Sequence, residues 1–284
     1  MSRAPAPKLS GRRVAHAGVT YFLLTLFLVV ALLPFIILLL ASFKTDAELT
    51  QGVLSLPQHW RLDNFVRAWS QARFGVYFRS SAIVAVSVVA VSAVLSILTG
   101  YAFGCLRFAG SRWLFLFFLV GLMVPFEAVV IPLYYRLRAI SLTDTYWALI
   151  LPQVGLSVSF GTFWMAGFFR TSPGELVDAA LIDGCDSFGV LWRILVPVAR
   201  PAILTLVVLL FMWTWNEFLL ALVLVSSESL RTLPVGLAFF QGQHTADVPL
   251  LAAGSLIVSG PILLVYILFQ RHFIRGMTSG AVRG

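Results

Sequence analysis

The stretch "PGELVDAALIDGCDSFGVLWRILVPVARP", residues 173–201, is a polar interval in a strongly apolar chain. Its four carboxylates, Glu175, Asp178, Asp183 and Asp186, are a third of the twelve acidic residues in the sequence. The chain as a whole is 60% hydrophobic and only 11% charged, whereas a soluble globular protein has about 25% charged residues. The composition therefore excludes an ordinary soluble protein and indicates that this stretch is a loop between membrane spans.

Apolar runs on both sides of this loop are long enough to cross a bilayer, which takes roughly 20 helical residues. Backbone polar groups inside lipid must be satisfied within their own segment, so helices are expected. The alternating ten-residue segments of barrel strands are not seen. The sequence thus predicts an all-α fold, a polytopic membrane bundle of six transmembrane helices over residues 19–42, 81–104, 113–135, 145–169, 202–226 and 248–270.

The distribution of positive charge predicts the orientation of these spans. The net charge is +8, and in membrane proteins Lys and Arg concentrate in cytoplasmic loops, so the charge does not require a nucleic-acid partner. An N-in/C-in arrangement places residues 173–201 in the cytoplasm. It also places 12 of the 20 basic residues there, namely Arg3, Lys8, Arg12, Arg13, Arg107, Arg112, Arg170, Arg193, Arg200, Arg271, Arg275 and Arg283.

No segment outside the spans is expected to be large enough for a separate soluble domain. Residues 1–18 and 273–284 are predicted as cytoplasmic tails of one six-helix domain, residues 19–272, whose polar loop covers 171–201. The first apolar run is about twice as long as the core of a signal peptide, so we expect an uncleaved span. Cys105 and Cys185 fall on predicted cytoplasmic loops and are expected to be reduced thiols rather than a disulfide.

The polar loop carries the signals of two short helices. Ser172 and Glu175 form a capping-box pattern, and Pro173 suits a first helical turn, so a helix is predicted from residue 173 to about 183. Gly184 is suited to end it. A second helix is predicted from Asp186 or Ser187. Its apolar face is expected to contain Phe188, Leu191, Trp192 and Leu195, and Pro197 and Pro201 are expected to turn the chain toward the fifth span.

The first of these helices is predicted to enter a groove on another protein. Glu175 and Asp178 share a face because they are three residues apart, and most other positions are small or aliphatic. A helix lying on the lipid surface is the alternative. Such helices usually carry Lys and Arg on the polar face, and the negative inner leaflet would repel this acidic one. Docking to a partner protein is therefore favoured.

These residues also resemble a known motif. The segment "ELVDAALIDGCDSFGVLWRILVP", residues 175–197, is similar to the cytoplasmic Glu-Ala-Ala loop of binding-protein-dependent ABC importer permeases. That pattern is an acidic residue, Ala-Ala, three residues, Gly, nine residues, Ile, two residues and Pro. Here its positions are occupied, at every spacing, by Asp178, Ala179, Ala180, Gly184, Ile194 and Pro197.

The resemblance extends over nearly the whole chain. "LASFKTDAEL", "GLMVPFEAVVIPLYY", "TWNEFLLAL", "RTLPVGLAFF" and the terminal "GAVRG" are similar to the carbohydrate-uptake branch, in particular to its smaller, six-span maltose-type permease subunit. Three positions depart from the usual pattern. Asp178 replaces the first Glu, Cys185 stands where Ala is usual, and Val196 replaces a common Leu. These departures are conservative and leave the docking prediction in place.

The resemblance implies a transport assembly and a role for the loop. The loop would be the coupling helix that sits in a cleft of an ATP-binding subunit. The partners implied are two ATP-binding subunits, a second and non-identical permease subunit, an external solute-binding protein and a sugar, in a bacterial-type cytoplasmic membrane. The docking residues implied are Glu175, Asp178, Ala179, Ala180, Asp183 and Gly184.

No phosphate-binding loop is found in this chain. Such a loop needs Gly-Lys followed by Ser or Thr, and the only lysines, Lys8 and Lys44, follow Pro and Phe. We therefore expect no cofactor on this chain and no enzymatic activity of its own, with ATP and Mg on the partner ATPase. The four histidines are scattered without the spacing of a metal site.

Two acidic residues, Glu127 and Glu217, interrupt otherwise apolar runs, and ionisable residues inside a membrane are functional candidates. Each lies toward the predicted outer face, so a hydrogen-bonded role near the interface is an alternative. Trp213 and Asn216 lie near Glu217, and the two Glu residues, Trp213 and Asn216 are the candidates for a sugar pathway. Trp213 is equally compatible with the interfacial aromatic belt.

Two other functions compete with that of an importer permease. A proton-coupled secondary transporter of a small polar solute would use Glu127 or Glu217, but it predicts inverted repeats and acids at the midplane. No repeat is seen in the sequence. An intramembrane enzyme would need a nucleophile and a base, and no such pair can be identified. Neither alternative has a use for a cytoplasmic docking helix of this form.

Overall fold

The computed structural model of the protein describes residues 11–172, 174–242 and 246–279. Pro173, His244 and the terminal "GAVRG" lie outside the described residues. The described part is all-helical apart from an isolated bridge between Gln241 and Ala246. Its helices are α1 Gly11–Ser42, α2 Asp46–Gln51, α3 Asp63–Gln71, α4 Phe74–Cys105, α5 Ser111–Met123, α6 Phe126–Ala139, α7 Tyr146–Arg170, α8 Gly174–Ile182, α9 Ser187–Gly189, α10 Val196–Val198, α11 Arg200–Trp215, α12 Leu219–Leu224, α13 Leu233–Gly236 and α14 Val248–Ser279.

Shorter turns connect some of these helices. A π-helix covers Val190–Leu195, and 3₁₀ turns cover Glu228–Leu230 and Leu237–Phe240. The terminal helices α1 and α14 extend beyond the apolar runs into the segments predicted as tails. In the same way α4 begins at Phe74, seven residues before the predicted start of the second span at residue 81.

Four helices of the described chain are long and apolar enough to cross a membrane: the part of α1 from Gly18 to Ser42, α4, α7, and the part of α14 from Val248 to Arg271. Two bent helix pairs are also long and apolar enough to cross a membrane if each pair is counted as one span. These pairs are α5 with α6, bent by 98°, and Ser187–Val198 with α11, bent by 79°. The fold is therefore of the membrane type that the sequence predicts, with four to six candidate spans.

The predicted third span, residues 113–135, is a broken helix rather than a continuous one. Helix α5 ends at Met123, and Val124 and Pro125 are extended, with ψ of 119° and 117°. Proline lacks a backbone N–H and disfavours the helical conformation at the residue before it. Helix α6 then starts at Phe126 in a direction 98° away. A break at Pro125 is apparent from the sequence, but the change of direction is not.

The predicted fifth span, residues 202–226, is also divided. Helix α11 ends at Trp215, and the short helix α12 begins only at Leu219. Between them the Glu217 carboxylate accepts hydrogen bonds from the backbone N–H groups of Leu220 and Ala221, at 3.0 and 3.4 Å. A side chain that satisfies the first N–H groups of a helix favours a new start at that point.

Helices α4 and α7 form the centre of the bundle and approach each other closely. Small residues recur every fourth position on α4, at Ser92, Ser96, Gly100 and Gly104. A β-carbon added to Gly161 of α7 would lie 1.9 Å from the Ser96 Oγ atom. Small residues allow helix backbones in membranes to pack at short distance. A side-chain hydrogen bond of 2.6 Å between Thr99 and Thr162 joins the same pair of helices.

Three buried clusters hold the remaining helices on this pair. One lies around Leu149 and Leu220 and one around Phe74 and Leu250. The third surrounds Leu191 and includes residues from the end of α4, the end of α7 and the predicted cytoplasmic loop. The loop is therefore packed against the ends of the central helices rather than extended away from them.

The segment after α1 is stabilised by a fully buried lysine. The Nζ atom of Lys44 donates to the carbonyl oxygens of Gly52 and Val53 and to the Ser55 hydroxyl, at 2.9, 3.1 and 3.1 Å. Three oxygens around one ammonium satisfy its three N–H groups, so the loop between α2 and α3 is held against the end of α1. Helix α3 then leads directly into α4.

Candidate coupling loop and substrate cleft

Helix α8 ends in a Schellman motif at the glycine that the sequence predicts as its stop. Gly184 has φ +84°, and its N–H donates to Leu181 O at 3.1 Å. The N–H of Cys185 donates to Ala180 O at 2.9 Å. These are the two bonds that close a helix through a left-handed residue. The reversal at Gly184 brings the chain back toward the bundle within a few residues.

The predicted docking residues fall on two faces of α8 and its cap. Glu175, Asp178, Ala179, Asp183 and Gly184 are exposed to solvent. Ala180 is only 6% exposed and packs in the buried cluster around Leu191. The same helix therefore presents an acidic and small-residue face outward and is attached to the chain's own core on the other side.

Aliphatic side chains accompany the acidic residues on the exposed face. Ile182 is 86% exposed and Leu181 is 50% exposed, beside Leu176 at 40%. Exposed apolar side chains rimmed by polar residues are typical of a surface that contacts another protein. The face of α8 that points away from the bundle has this composition.

The second helix of the loop is less regular than predicted. Asp186 caps α9 by accepting a hydrogen bond from Gly189 N at 2.8 Å. The chain then continues as a π-helix, whose i to i+5 bonds bring residues five apart onto one side. Val190 and Leu195 are both buried as a result, whereas Phe188, predicted on the apolar face, is 63% exposed.

A cleft of about 310 Å³ lies between three parts of the bundle: the break between α5 and α6, helix α7, and the break between α11 and α12. Its aromatic side chains are Phe126, Phe160 and Trp213, and the Trp213 ring meets the Phe160 ring edge-on at 4.7 Å. The polar side chains that line it are Gln153, Ser157, Thr214 and Glu217. In membrane proteins, interrupted helices occur where they border a cavity rather than lipid.

The structure brings together two of the four residues that the sequence suggests for the pathway. Trp213 and Glu217 line the cleft. Asn216 is exposed and donates to Met212 O at 2.9 Å, and Glu127 is exposed in the first turn of α6. Neither Asn216 nor Glu127 lines the cleft. The Glu127 carboxylate lies where the dipole of α6 favours negative charge.

Three polar residues of this cleft, Gln153, Ser157 and Thr214, were missed by reasoning from the sequence. Gln153 is 6% exposed and its amide donates to Leu149 O at 3.0 Å. A buried glutamine within a predicted span is a recognisable signal, because polar side chains in membranes usually face the bundle interior. Among the residues with described side chains, no group of three His, Cys, Asp or Glu could hold a metal ion.

Asp144, which has φ +59°, lies between α6 and α7 at the end of the bundle opposite α8. Its carboxylate accepts hydrogen bonds from the Ser226 and Ser227 N–H groups at 3.0 and 2.7 Å and from the Ser227 hydroxyl. Its own N–H donates to Leu224 O at 2.9 Å. Asp144 thus joins the loop before α7 to the segment that follows α12.

Replacing Asp144 with Ala is expected to loosen the segment after Leu224, because two backbone N–H groups lose their acceptor and Ala disfavours positive φ. Trypsin cleavage at Arg231 should become about tenfold faster. Asp144→Asn is the matched variant, since Asn tolerates the same backbone and keeps one acceptor oxygen. An equal cleavage rate in both variants and the native protein would contradict this role.

The same contact predicts a dependence on pH. Hydrogen bonds from the Ser227 hydroxyl, then from the Ser227 and Ser226 amides, lower the pKa of Asp144 below its ordinary value. A lowered pKa in the folded state contributes stability above the ordinary pKa, and that stability is lost as pH falls through the lowered value. Protection of Arg231 from an acid-tolerant protease should therefore persist from neutral pH into the ordinary range of aspartate and decline below it.

Comparison with known proteins places these features in context. Residues 94–279 match the sequence model of the family described as binding-protein-dependent transport system inner membrane component. The diacetylchitobiose uptake system permease protein NgcG of Streptomyces coelicolor is 32% identical over 282 residues, which cover 99% of this chain and 93% of that protein. The arabinooligosaccharides transport system permease protein AraQ of Halalkalibacterium halodurans is 34% identical over 259 residues, covering 90% and 92%.

A solved structure has the same fold. It is the crystal structure of a bacterial ABC transporter involved in the import of the acidic polysaccharide alginate. One of its chains superposes with a TM-score of 0.80, covering 94% of this chain and 100% of that chain, at 23% sequence identity. The overall arrangement of helices is thus that of a chain in a solved transporter.

Proposed function

Because the chain belongs to the family of binding-protein-dependent transport system inner membrane components, we propose that it is a permease subunit of an ATP-driven importer of sugars, with short oligosaccharides as substrates. It is a transport subunit of an inner-membrane complex, and ATP hydrolysis takes place on a separate subunit. The substrate class is supported by relatives named as uptake systems for diacetylchitobiose and arabinooligosaccharides.

The observation that carries this proposal is the construction of the loop between α7 and α11. Helix α8 exposes Glu175, Asp178 and Ala179 while Ala180 is packed in the chain's own core. The proposed role is that of a coupling helix: the exposed face docks on an ATP-binding subunit, and the buried face passes the displacement to α4, α7 and α11. Packed elements transmit a displacement when they have discrete alternative arrangements.

The full assembly that we propose contains two ATP-binding subunits that carry ATP and Mg, a second and non-identical permease, and an external solute-binding protein. In this proposal α5 with α6 is one span and α11 with α12 is another, which gives six spans, and both termini are cytoplasmic. The placement of Asp144 and of the coupling loop at opposite ends of the bundle agrees with an external face and a cytoplasmic face.

The cleft that contains Trp213 and Glu217 is proposed as this chain's part of the sugar pathway. An aromatic ring beside several hydrogen-bonding side chains suits a sugar, which has an apolar ring face and polar edges. The cleft lies between interrupted helices, as binding sites of transporters commonly do. The Glu217 carboxylate also accepts a hydrogen bond from Leu220 N at the start of α12. This hydrogen bond fixes the position of the carboxylate in the cleft.

The test is purification in mild detergent followed by reconstitution. Co-elution of stoichiometric amounts of an ATP-binding subunit and a second permease is expected, together with sugar uptake that needs ATP and the external binding protein. A chain that purifies alone and accumulates solute under a proton gradient would overturn the importer and support a secondary transporter.

Within that assay, Trp213→Ala is expected to reduce sugar uptake about tenfold, since a lost aromatic contact is worth about 1 kcal/mol or somewhat more. ATPase activity stimulated by the binding protein should persist. Trp113→Ala is the control, because Trp113 is 76% exposed on α5 and does not line the cleft. Equal uptake by the two variants would remove Trp213 from the pathway.

A further inference from the structure

A second cleft, of about 670 Å³, lies at the end of the bundle opposite the coupling loop. Helix α4 is 32 residues long and so spans about 48 Å. Its last residues pack beside the coupling loop, whereas this cleft surrounds its first turns. The lining comes from the end of α3, the start of α4 and the segment 227–229, and its main side chains are Trp69, Ser70, Arg73, Tyr77, Ser227 and Glu228.

The centre of this cleft is an ion pair. The Nη1 atom of Arg73 lies 2.6 Å from the Oε2 atom of Glu228, and both side chains are more than half exposed, at 62% and 51%. The Tyr77 hydroxyl donates to Glu228 Oε1 at 3.4 Å. This is the only salt bridge among the side chains that the structure describes, and it joins residues 155 positions apart.

The backbone at Arg73 is unusual. Its φ is +51° and its ψ is 37°, a left-handed conformation that non-glycine residues seldom adopt. Residues held in sparsely populated conformations cluster at functional sites, where the surroundings determine them. Here the conformation begins α4 directly after α3 and directs Arg73 toward Glu228, so that the pair is oriented before any ligand arrives.

The polar groups of the cleft suit a ligand with many hydroxyl groups. A guanidinium has five N–H donors and a carboxylate about four acceptor positions, and the ion pair between them uses only a part of these. A hydroxyl group both donates and accepts, so neighbouring hydroxyls could bind one to each partner. The two charges of the pair balance each other, so the pair itself does not require a charged ligand. Arg231, which interacts with Tyr77, adds a further donor beside the pair.

An aromatic platform lies at the edge of the same cleft. The Trp69 ring is held edge-on against Phe74 at 6.5 Å, and the residue remains 45% exposed. A flat apolar surface beside oriented hydrogen-bonding groups matches a pyranose or furanose ring, whose C–H face is apolar. Ligand sites typically occupy about 300 to 1,000 Å³, and the cleft lies within that range.

We infer that this cleft is an outer sugar-binding site, formed by Trp69, Arg73 and Glu228, that holds a neutral oligosaccharide before it enters the pathway cleft at Trp213. The inference rests on the proposed function, because it assumes that sugars arrive at this end of the bundle. The proposed outer site goes beyond that function, because its contacts with the sugar come from this chain alone and not from the external binding protein.

The experiment uses the complete transporter in lipid nanodiscs without the external binding protein. Saturation-transfer NMR measures contact of diacetylchitobiose and of arabinotriose with the protein. The variants are Trp69→Ala, Arg73→Gly, which suits the left-handed backbone while removing the side chain, and Glu228→Gln. The control is Arg67→Ala, an exposed arginine of α3 outside the cleft. Trp213→Ala is measured in addition, to give the part of the signal that comes from the pathway cleft. Equal complex yield and melting temperature establish that each variant is folded.

Saturation transfer to at least one sugar is expected in the native complex and in the Arg67→Ala control, with affinity about tenfold weaker in each variant of the outer cleft. Transfer that remains in Trp213→Ala is expected to depend on Trp69, Arg73 and Glu228. Transfer that depends on Trp213 but not on Trp69, Arg73 or Glu228 would overturn the inference. So would the absence of transfer from either sugar. A separate pull-down with the external binding protein tests the alternative: if the cleft variants lose that association but keep saturation transfer, the surface is a protein contact and the sugar site is wrong.

The proposed function is tested separately by ATP-dependent uptake with the binding protein present. Uptake by the native complex together with no sugar contact at the cleft rejects the outer site and leaves the importer standing. Absence of ATP-dependent uptake in the native complex rejects the importer itself, whatever the NMR experiment gives.

Discussion

Gly184→Val is expected to abolish most sugar uptake while the complex still assembles in the membrane. The residue has φ +84° and closes α8 through the two hydrogen bonds of its Schellman motif. A β-carbon there would meet no atom within 4 Å, so the cost comes from the backbone conformation and not from crowding. That cost is about 1 to 2 kcal/mol, and a β-branched side chain is the least compatible with it.

Unwinding the end of α8 would relieve the strain, and it would move Asp183 and Cys185 from their native positions in the loop. In the proposed coupling role, α8 displaces the bundle, and it can do this only while its end is fixed. We therefore expect uptake to fall about tenfold or more, with ATP hydrolysis continuing because the catalytic subunits are unchanged. Uptake and hydrolysis are measured on the same proteoliposomes, so their ratio reports the coupling.

Two matched variants separate backbone strain from the mere loss of a glycine. Gly184→Asn should retain most uptake, since Asn tolerates the left-handed conformation. Gly174→Val, at the first residue of the same helix, also meets no atom within 4 Å and has no positive φ, and it should behave as the native protein. Normal uptake by Gly184→Val membranes would refute this role of the helix end.

Gly161→Ala is expected to destabilise the whole bundle. The added β-carbon would lie 1.9 Å from Ser96 Oγ and 2.6 Å from Ser96 Cβ, distances at which one of the two central helices must move. Overpacking of this kind costs about 3 kcal/mol. The yield of monodisperse complex and its melting temperature in detergent should both fall sharply.

Helix α7 supplies its own controls. Gly155 and Gly167 lie on the same helix, and a β-carbon added at either position would meet no atom within 4 Å. Ala at these positions should leave stability unchanged or raise it by up to about 1 kcal/mol, because Ala favours helix over Gly. The double variant Gly161→Ala with Ser96→Gly should regain stability, and its failure to do so would show that Ser96 is not the obstacle.

Much of the fold follows from residue chemistry that is local in sequence. The apolar runs, the helix end at Gly184 and the interruption at Pro125 depend on neighbouring residues only, since lipid enforces helices and a left-handed or proline-blocked position ends them. The acidic face of α8 was likewise predictable, because residues three apart share a side of any helix. The resemblance to the importer permeases was likewise visible in this stretch, residues 175–197.

The contacts between segments that are distant in sequence could be seen only in the tertiary structure. The buried position of Ala180, the π-helical register that exposes Phe188 and the cleft that joins Trp213 to Gln153 depend on how helices pack. The contacts of Asp144 with Ser227 and of Arg73 with Glu228 join residues 83 and 155 positions apart.

The physical reason lies in the source of each constraint. Hydropathy, helix caps and turn residues act through the backbone of a few consecutive residues, and they determined that this protein is a membrane-type helical bundle with a short, acidic helix ended by Gly184 between its apolar runs. Close packing between helices depends on the shapes of both partners. The sequence contains both shapes, but only the folded bundle decided which glycine faces which serine and which polar residues surround a cleft.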